Sequence, residues 1–174
     1  MNIVIASRQR TRKINPRRFK HIAEALLADL RIGEAELGIN LVAAREMTLI
    51  NETFLRHEGS TDVITFDYGN SAGQASRLSH SKTRNGDRRD ACPALHGEIF
   101  ICVDETILQA KKFRTTWQSE IVRYLVHGVL HLLGHDDRNA AARRTMKHEE
   151  KRRLAVLSEK FSLAQIGGPS KLRA

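Results

Sequence analysis

Short apolar segments alternate with segments of helical periodicity along this chain. Four stretches are apolar and β-branched, or alternate between apolar and polar positions, which is typical of strands; they cover residues 2–6, 36–43, 61–66 and 98–103. Five others repeat apolar residues every three to four positions, which predicts helices; they cover residues 16–30, 46–54, 105–113, 117–133 and 140–157. The first of these helices begins with Pro16 after Asn15, an order typical of helix starts.

The order of these elements predicts the class of fold. Strands interleaved with helices indicate an α/β (or α+β) chain, in which a small mixed four-stranded sheet packs against about five helices. A length of 174 residues fits one domain with a substantial core. We predict that this single domain covers residues 1–166 and that residues 167–174 form a frayed tail.

Residues 70–93 differ in composition from the rest of the chain. They are rich in Gly, Ser, Asn and Arg, and Leu78 is their one large apolar residue. Such a segment predicts a loop insertion and not a second domain. Its basic residues fit either contact with phosphate groups or an ordinary solvated loop, and the composition favours the solvated loop.

Charge and cysteine content narrow the setting in which the protein works. The chain has 29 Lys and Arg residues against 20 Asp and Glu residues, a net charge of +9. This excess favours a polyanionic partner, nucleic acid first and an anionic membrane surface second, although a soluble protein can also simply be basic. Cys92 and Cys102 are too few for a disulfide framework. Because no segment has the length of a membrane span or the charge order of a signal peptide, we predict a cytoplasmic protein.

Three of the eight histidines fall within one short segment, VHGVLHLLGHDD. His127 and His131 are four residues apart and therefore share one face of the predicted helix, where two imidazoles can bind one metal ion. A third ligand requires the chain to turn back after the helix, and Gly134 is suited to that turn. Both His135 and Asp137 then come within reach, and zinc accepts either donor. The alternative is that the histidines only pack in the core.

A site with three protein ligands and an open fourth position is typical of catalytic zinc. The residue after His127 is Gly128, where a zinc protease of the HExxH type carries its glutamate base. The glycine argues against that class of protease. It also indicates that a backbone or a substrate approaches the helix closely at this point.

Three sequence blocks resemble the YbeY family of bacterial endoribonucleases. HGVLHLLGHDD at 127–137 is similar to the family pattern HGxLHLxGxDH. LINETFLRHEGSTDVITF at 49–66 resembles the family's LN…R…TDVLSF segment, and LHGEIFICVDETILQA at 95–110 resembles the segment that contains LGDI. Met146 and Glu150 match the MxxxE that follows the histidine motif. The resemblance extends from about residue 3 to 157, with the insertion at 70–93 inside it.

The resemblance implies a ligand set and a catalytic residue. His127 and His131 match the first two zinc ligands of the family, and Asp137 stands where the family has its third ligand histidine. We therefore expect one zinc ion bound by His127, His131 and Asp137, with His135 as the fallback third ligand. Arg56 matches the arginine that the family places near the metal, where it would hold an RNA phosphate. Asp62 is expected to brace the start of a strand.

The resemblance also implies the activity and the partners. We expect a zinc-dependent endoribonuclease that prefers single-stranded RNA and acts in 16S ribosomal RNA 3′ end maturation and ribosome quality control. The expected partners are single-stranded or ribosomal RNA and the small ribosomal subunit. The rival hypotheses are a ribosome-assembly binding protein whose metal is structural and a metal-dependent hydrolase of another substrate class.

Overall fold

Four strands form one mixed sheet in the order β1–β2–β4–β3. A computed structural model describes residues 1–69 and 94–167, so the predicted insertion at 70–93 and residues 168–174 of the predicted tail lie outside the described residues. Gly167, predicted as the first residue of the frayed tail, forms a bridge with Ile14. The strands are β1 (Asn2–Ser7), β2 (Glu34–Val42), β3 (Val63–Asp67) and β4 (Ala94–Cys102). β1, β2 and β4 are parallel, and β3 pairs antiparallel with β4. The predicted small mixed four-stranded sheet is confirmed.

Five α-helices accompany the sheet in the described part of the chain. They are α1 (Pro16–Asp29), α2 (Ala44–Ile50), α3 (Val103–Phe113), α4 (Trp117–Leu132) and α5 (Ala140–Lys160). A π-helical turn follows α2 at Asn51–Leu55, and a 3-10 turn follows α5 at Leu163–Ile166. Within these residues, none of the helices combines the length and the apolar character that crossing a bilayer requires.

The strand β4 begins earlier than the pattern predicted. The prediction began at Glu98, where the continuous apolar run starts, but pairing with β2 already begins at Ala94. Leu95, Gly97 and Ile99 alternate with exposed or half-buried neighbours and are themselves buried. The extension therefore follows the period-two burial of a strand with one covered face, which a search for a continuous apolar run overlooks.

The two faces of the sheet are covered unequally. Ile99 and Ile101 of β4 belong to the main core beneath α1 and α4. Because successive side chains of a strand point to opposite faces, Cys102 lies on the other side, in a small cluster with Val42 and Met47. The main core therefore holds α4, which carries the histidines, firmly against the sheet.

The predicted helix at 46–54 is confirmed in its first half and wrong in its second half. The α-helix ends at Ile50 and the chain continues as a π-helical turn. Met47 is buried, but Leu49 and Phe54, which were expected on the apolar side, are 57% and 64% exposed. On this face of the sheet the small cluster buries Met47 and packs against Ala44 and Ile50, and it does not include Leu49 or Phe54.

Gly128 lets α4 lie close to β4. A Cβ atom added at Gly128 would stand 2.8 Å from Cγ2 of Ile99, well inside ordinary carbon–carbon contact. The close approach that the glycine indicated is thus made by a side chain of the core, and not by a backbone or a substrate.

We expect Gly128→Ala to destabilise the protein by about 1–3 kcal/mol, because the added methyl overpacks the α4–β4 contact. The measurement is the free energy of unfolding from a urea titration. The comparison is Ala140→Gly at the exposed start of α5, which makes the reverse change without touching the core and so reports the helix-propensity difference alone, up to about 1 kcal/mol. Unchanged stability in Gly128→Ala would show that Ile99 can move aside freely.

Candidate metal centre

Helix α4 places His127 and His131 one turn apart on the same face, as their spacing predicts. The two rings are half-buried, with centroids 4.4 Å apart and planes at 81° to each other. Their Nε2 atoms are 2.9 Å apart. Two nitrogens bound to one tetrahedral zinc ion are roughly 3.4 Å apart, given bonds of about 2.0–2.1 Å, so a small opening of the pair is enough to admit the ion.

A glycine turn then reverses the chain. Gly134 has a φ of +87°, and its N–H donates to the carbonyl of His131 while the N–H of His135 donates to that of Leu130. This pair of bonds is the Schellman motif, which ends helices at a residue in the left-handed conformation. Asp136 orients the next residue, because its Oδ1 accepts the N–H of Asp137 at 2.8 Å.

The turn brings a carboxylate to the two imidazoles. Ligand atoms of His127, His131 and Asp137 all lie within 4.8 Å of one another, and this trio is the group in the described residues that is able to share an ion. The side chain of His135 is outside the trio. His135 contributes through its backbone, since its carbonyl oxygen lies 3.0 Å from Nδ1 of His131.

The hydrogen bonds of the two rings determine where their lone pairs point. Nδ1 of His127 faces Oε1 of Glu150 at 2.6 Å, and Nδ1 of His131 faces the carbonyl of His135. A carboxylate and a carbonyl accept hydrogen bonds, so each Nδ1 carries the proton of its neutral ring. Both Nε2 atoms then present lone pairs to each other. Such a pair requires a proton or a metal cation between the nitrogens.

Burial acts on the charge state of this pair. It lowers the pKa of His131, and the neighbouring His127 lowers that pKa further. The depressed pKa favours the neutral imidazole, which is the form that binds metal ions. The two imidazole nitrogens and the nearby carboxylate therefore have the donor chemistry to share one metal ion, with ligand atoms within 4.8 Å of one another.

A family profile described as "Endoribonuclease YbeY" matches residues 4–158. The chain belongs to the YbeY family. The YbeY endoribonuclease of Geobacter sulfurreducens is 26% identical over 97% of this chain and 99% of its own length. The one from Syntrophotalea carbinolica is 29% identical over 91% and 97%.

Other YbeY relatives match over a smaller share of their length. The Myxococcus xanthus protein is 35% identical, but the match covers 74% of this chain and 39% of that protein. The Parabacteroides distasonis protein is 32% identical over 63% of each. This chain therefore spans less than two thirds of these two relatives. A solution structure from Thermotoga maritima matches 99% of both chains with a TM-score of 0.58 and 19% identity, which shows the shared fold alone.

Arg56, the arginine that matches the YbeY pattern, ends the π-helical turn. Its backbone is left-handed, with a φ of 57°, and its side chain is exposed. Buried Asn51 supports this segment, because its Nδ2 donates to the carbonyl of Gly59 at 2.9 Å. π-helical turns are frequent at functional sites, and the α-helical periodicity of 46–54 gave no sign of this one.

Asp62 braces the start of β3. Its Oδ1 accepts the N–H of Val63 at 2.9 Å and the hydroxyl of Thr61 at 3.2 Å, and its carbonyl accepts the N–H of Cys102. These bonds match the expected bracing role.

Two charged residues near the histidines were missed in the sequence. Arg123 and Glu120 form an ion pair at 2.7 Å, and Glu120 is almost fully buried. A detectable signal was present, since residues 120, 123 and 127 fall on one face of an otherwise apolar helix.

Proposed function

We propose that this chain is a zinc-dependent endoribonuclease that prefers single-stranded RNA. The observation that carries the proposal is the convergence of His127, His131 and Asp137, with two imidazole lone pairs facing each other. The names of the YbeY relatives supply the class of reaction, hydrolysis of RNA phosphodiester bonds.

The three side chains would hold one zinc ion and leave a coordination position open. When bound, zinc supplies Lewis-acid activation of water or of a phosphoryl oxygen. The chain's own residues orient this centre: α4 sets the spacing of the histidines, and the Gly134 turn delivers the carboxylate. This three-ligand set favours a catalytic role over a structural one, because structural zinc usually has four protein ligands.

Arg56 is proposed to hold the scissile phosphate. Its guanidinium can donate two parallel hydrogen bonds to phosphate oxygens and stabilise the charge that develops during hydrolysis. Because its side chain is exposed, Arg56 is accessible to an RNA strand, which is too large to enter a closed pocket.

We expect Arg56→Ala to lower the rate of RNA cleavage about a hundredfold, the usual loss when a donor to a developing negative charge is removed. The measurement is single-turnover cleavage of a fluorescent single-stranded RNA at saturating enzyme. Arg114→Ala is the matched control, because Arg114 is also exposed and left-handed, with a φ of 56°. Equal rates in the two variants would contradict the assignment.

The exposed face of α5 supports an RNA partner. Arg143, Arg144, Lys147, Lys151 and Arg152 are all exposed on it. Contacts with phosphates supply most of the affinity that does not depend on sequence. We propose ribosomal RNA as the substrate, 16S 3′ end maturation and ribosome quality control as the process, the small subunit as the partner and the cytoplasm as the location.

The proposal is tested with protein stripped of metal and then reloaded with zinc. Zinc is expected to restore cleavage of single-stranded RNA, with slower cleavage of the same sequence in a duplex. Casein serves as the second substrate and is expected to remain intact. Full RNA cleavage without metal would overturn the mechanism. Cleavage of casein alone would favour another class of hydrolase, and RNA binding without cleavage would favour an assembly factor with a structural metal.

A further inference from the structure

Glu150 is a buried carboxylate outside the metal-ligand trio. It lies on α5, is 7% exposed, and its Oε1 is 2.6 Å from Nδ1 of His127. A carboxylate taken out of water is costly unless charged or hydrogen-bonding groups compensate it. Its location at the back of a proposed ligand therefore calls for an explanation beyond packing.

A row of polar contacts continues from Glu150 away from the histidines. Its Oε2 is 3.7 Å from the guanidinium of Arg123, and that guanidinium is 2.7 Å from Glu120. The other oxygen of Glu120 accepts the hydroxyl of Thr115 at 2.8 Å. The guanidinium also lies over the ring of Tyr124, 4.4 Å from its centroid. These contacts hold the Glu150 carboxylate in place from α4 and the segment before it.

The charges in this row of contacts do not cancel. Two carboxylates, Glu120 and Glu150, share the one guanidinium of Arg123, so one negative charge is left over. Glu150 is the member of the row that faces the metal centre. The other proposed histidine ligand has a neutral partner, since Nδ1 of His131 faces a backbone carbonyl. The two histidines therefore differ in their hydrogen-bond partners, and only His127 has a charged one.

We propose that Glu150 is the positioning residue of the metal centre, and this inference rests on the proposed role of His127 as a ligand. By accepting the Nδ1 proton, Glu150 sets the tautomer and plane of the ring so that the Nε2 lone pair points towards His131 and Asp137. Its charge increases the electron density that the imidazole donates to a cation, an effect that partners behind metal-binding histidines generally have. Arg123 keeps the carboxylate from rotating away.

The test compares zinc affinity in Glu150→Ala, Glu150→Gln and the wild type, measured by competition with a chromophoric chelator. Losing the partner of a ligand histidine typically weakens metal binding about 10–100-fold, which is the result expected for Glu150→Ala. Glu150→Gln is expected to lose less affinity, because its amide oxygen still accepts the Nδ1 proton but carries no charge. The visible spectrum of the Co²⁺-loaded protein is expected to shift in both variants.

Glu149→Gln is the matched control. Glu149 is the neighbouring carboxylate on α5, and it pairs with Arg152 and Arg153 and not with a histidine. It is expected to bind zinc as tightly as the wild type. The melting temperature of each metal-free variant reports the fold separately, and if Glu150→Ala does not fold, Glu150→Gln alone decides.

Wild-type zinc affinity and an unshifted Co²⁺ spectrum in folded Glu150→Gln and Glu150→Ala would overturn the positioning role, while RNA cleavage by the same proteins would leave the proposed function intact. Conversely, the variants could bind zinc more weakly while the wild type does not cleave RNA. That result would retain the positioning role and overturn the proposed function.

Discussion

Asp137→Ala is expected to release the metal ion and lower RNA cleavage about a thousandfold. A catalytic metal contributes several kcal/mol of transition-state stabilisation, and each 1.36 kcal/mol corresponds to about a tenfold change in rate. Without the carboxylate, only the two imidazoles remain of the trio. The measurements are the zinc content of the purified protein and single-turnover cleavage of single-stranded RNA.

His135→Ala is the matched variant for this experiment. The imidazole of His135 is outside the trio, and the contact with His131 comes from a backbone carbonyl that the substitution keeps. We therefore expect His135→Ala to retain its zinc and most of its activity. Metal loss in His135→Ala with retention in Asp137→Ala would exchange the two assignments. Full retention in both would show that neither side chain is a ligand.

Gly97→Ala is expected to have the largest effect on stability. A Cβ atom at Gly97 would stand 2.5 Å from the carbonyl oxygen of Phe66 and 3.0 Å from Cδ2 of Leu132. The first atom belongs to the backbone of the paired strand β3 and cannot turn away as a side chain can. We expect a loss of about 3 kcal/mol, the upper end of the usual cost of overpacking, and hence a melting temperature lower by about 6–12 °C.

Gly38→Ala provides the comparison within the same sheet. Gly38 lies in β2, and its added Cβ would meet Glu98, with Cγ at 3.0 Å. Because Glu98 is a flexible, half-exposed side chain, it can move, and alanine also has a lower entropic cost than glycine in a strand. We expect a change within about 1 kcal/mol. Equal melting temperatures for Gly97→Ala and Gly38→Ala would show that β3 gives way without strain.

Local patterns in the sequence were enough to predict most of the element types and the two histidines of the proposed centre. Helical periodicity and the i, i+4 spacing are local properties, so they place His127 and His131 on one face before any tertiary contact is known. The positive φ of Gly134 is local in the same sense, and its turn was anticipated from the residue type. The YbeY resemblance rests on the same contiguous blocks and is confirmed by the family match.

The groups that surround those histidines follow from the packing of distant elements. Asp137 and His135 are equal as zinc donors by chemistry, and only the YbeY resemblance favoured Asp137. The path of the chain after Gly134 brings that carboxylate, and not a third imidazole, to His127 and His131. The contact of Glu150 with His127 spans 23 residues and depends on how α5 packs against α4. Such contacts depend on the relative placement of whole elements, which periodicity does not encode. For the same reason, the glycine in the helix predicted a close approach to α4 at Gly128, but the packing of α4 on β4 was needed to identify the side chain of Ile99 as the approaching group.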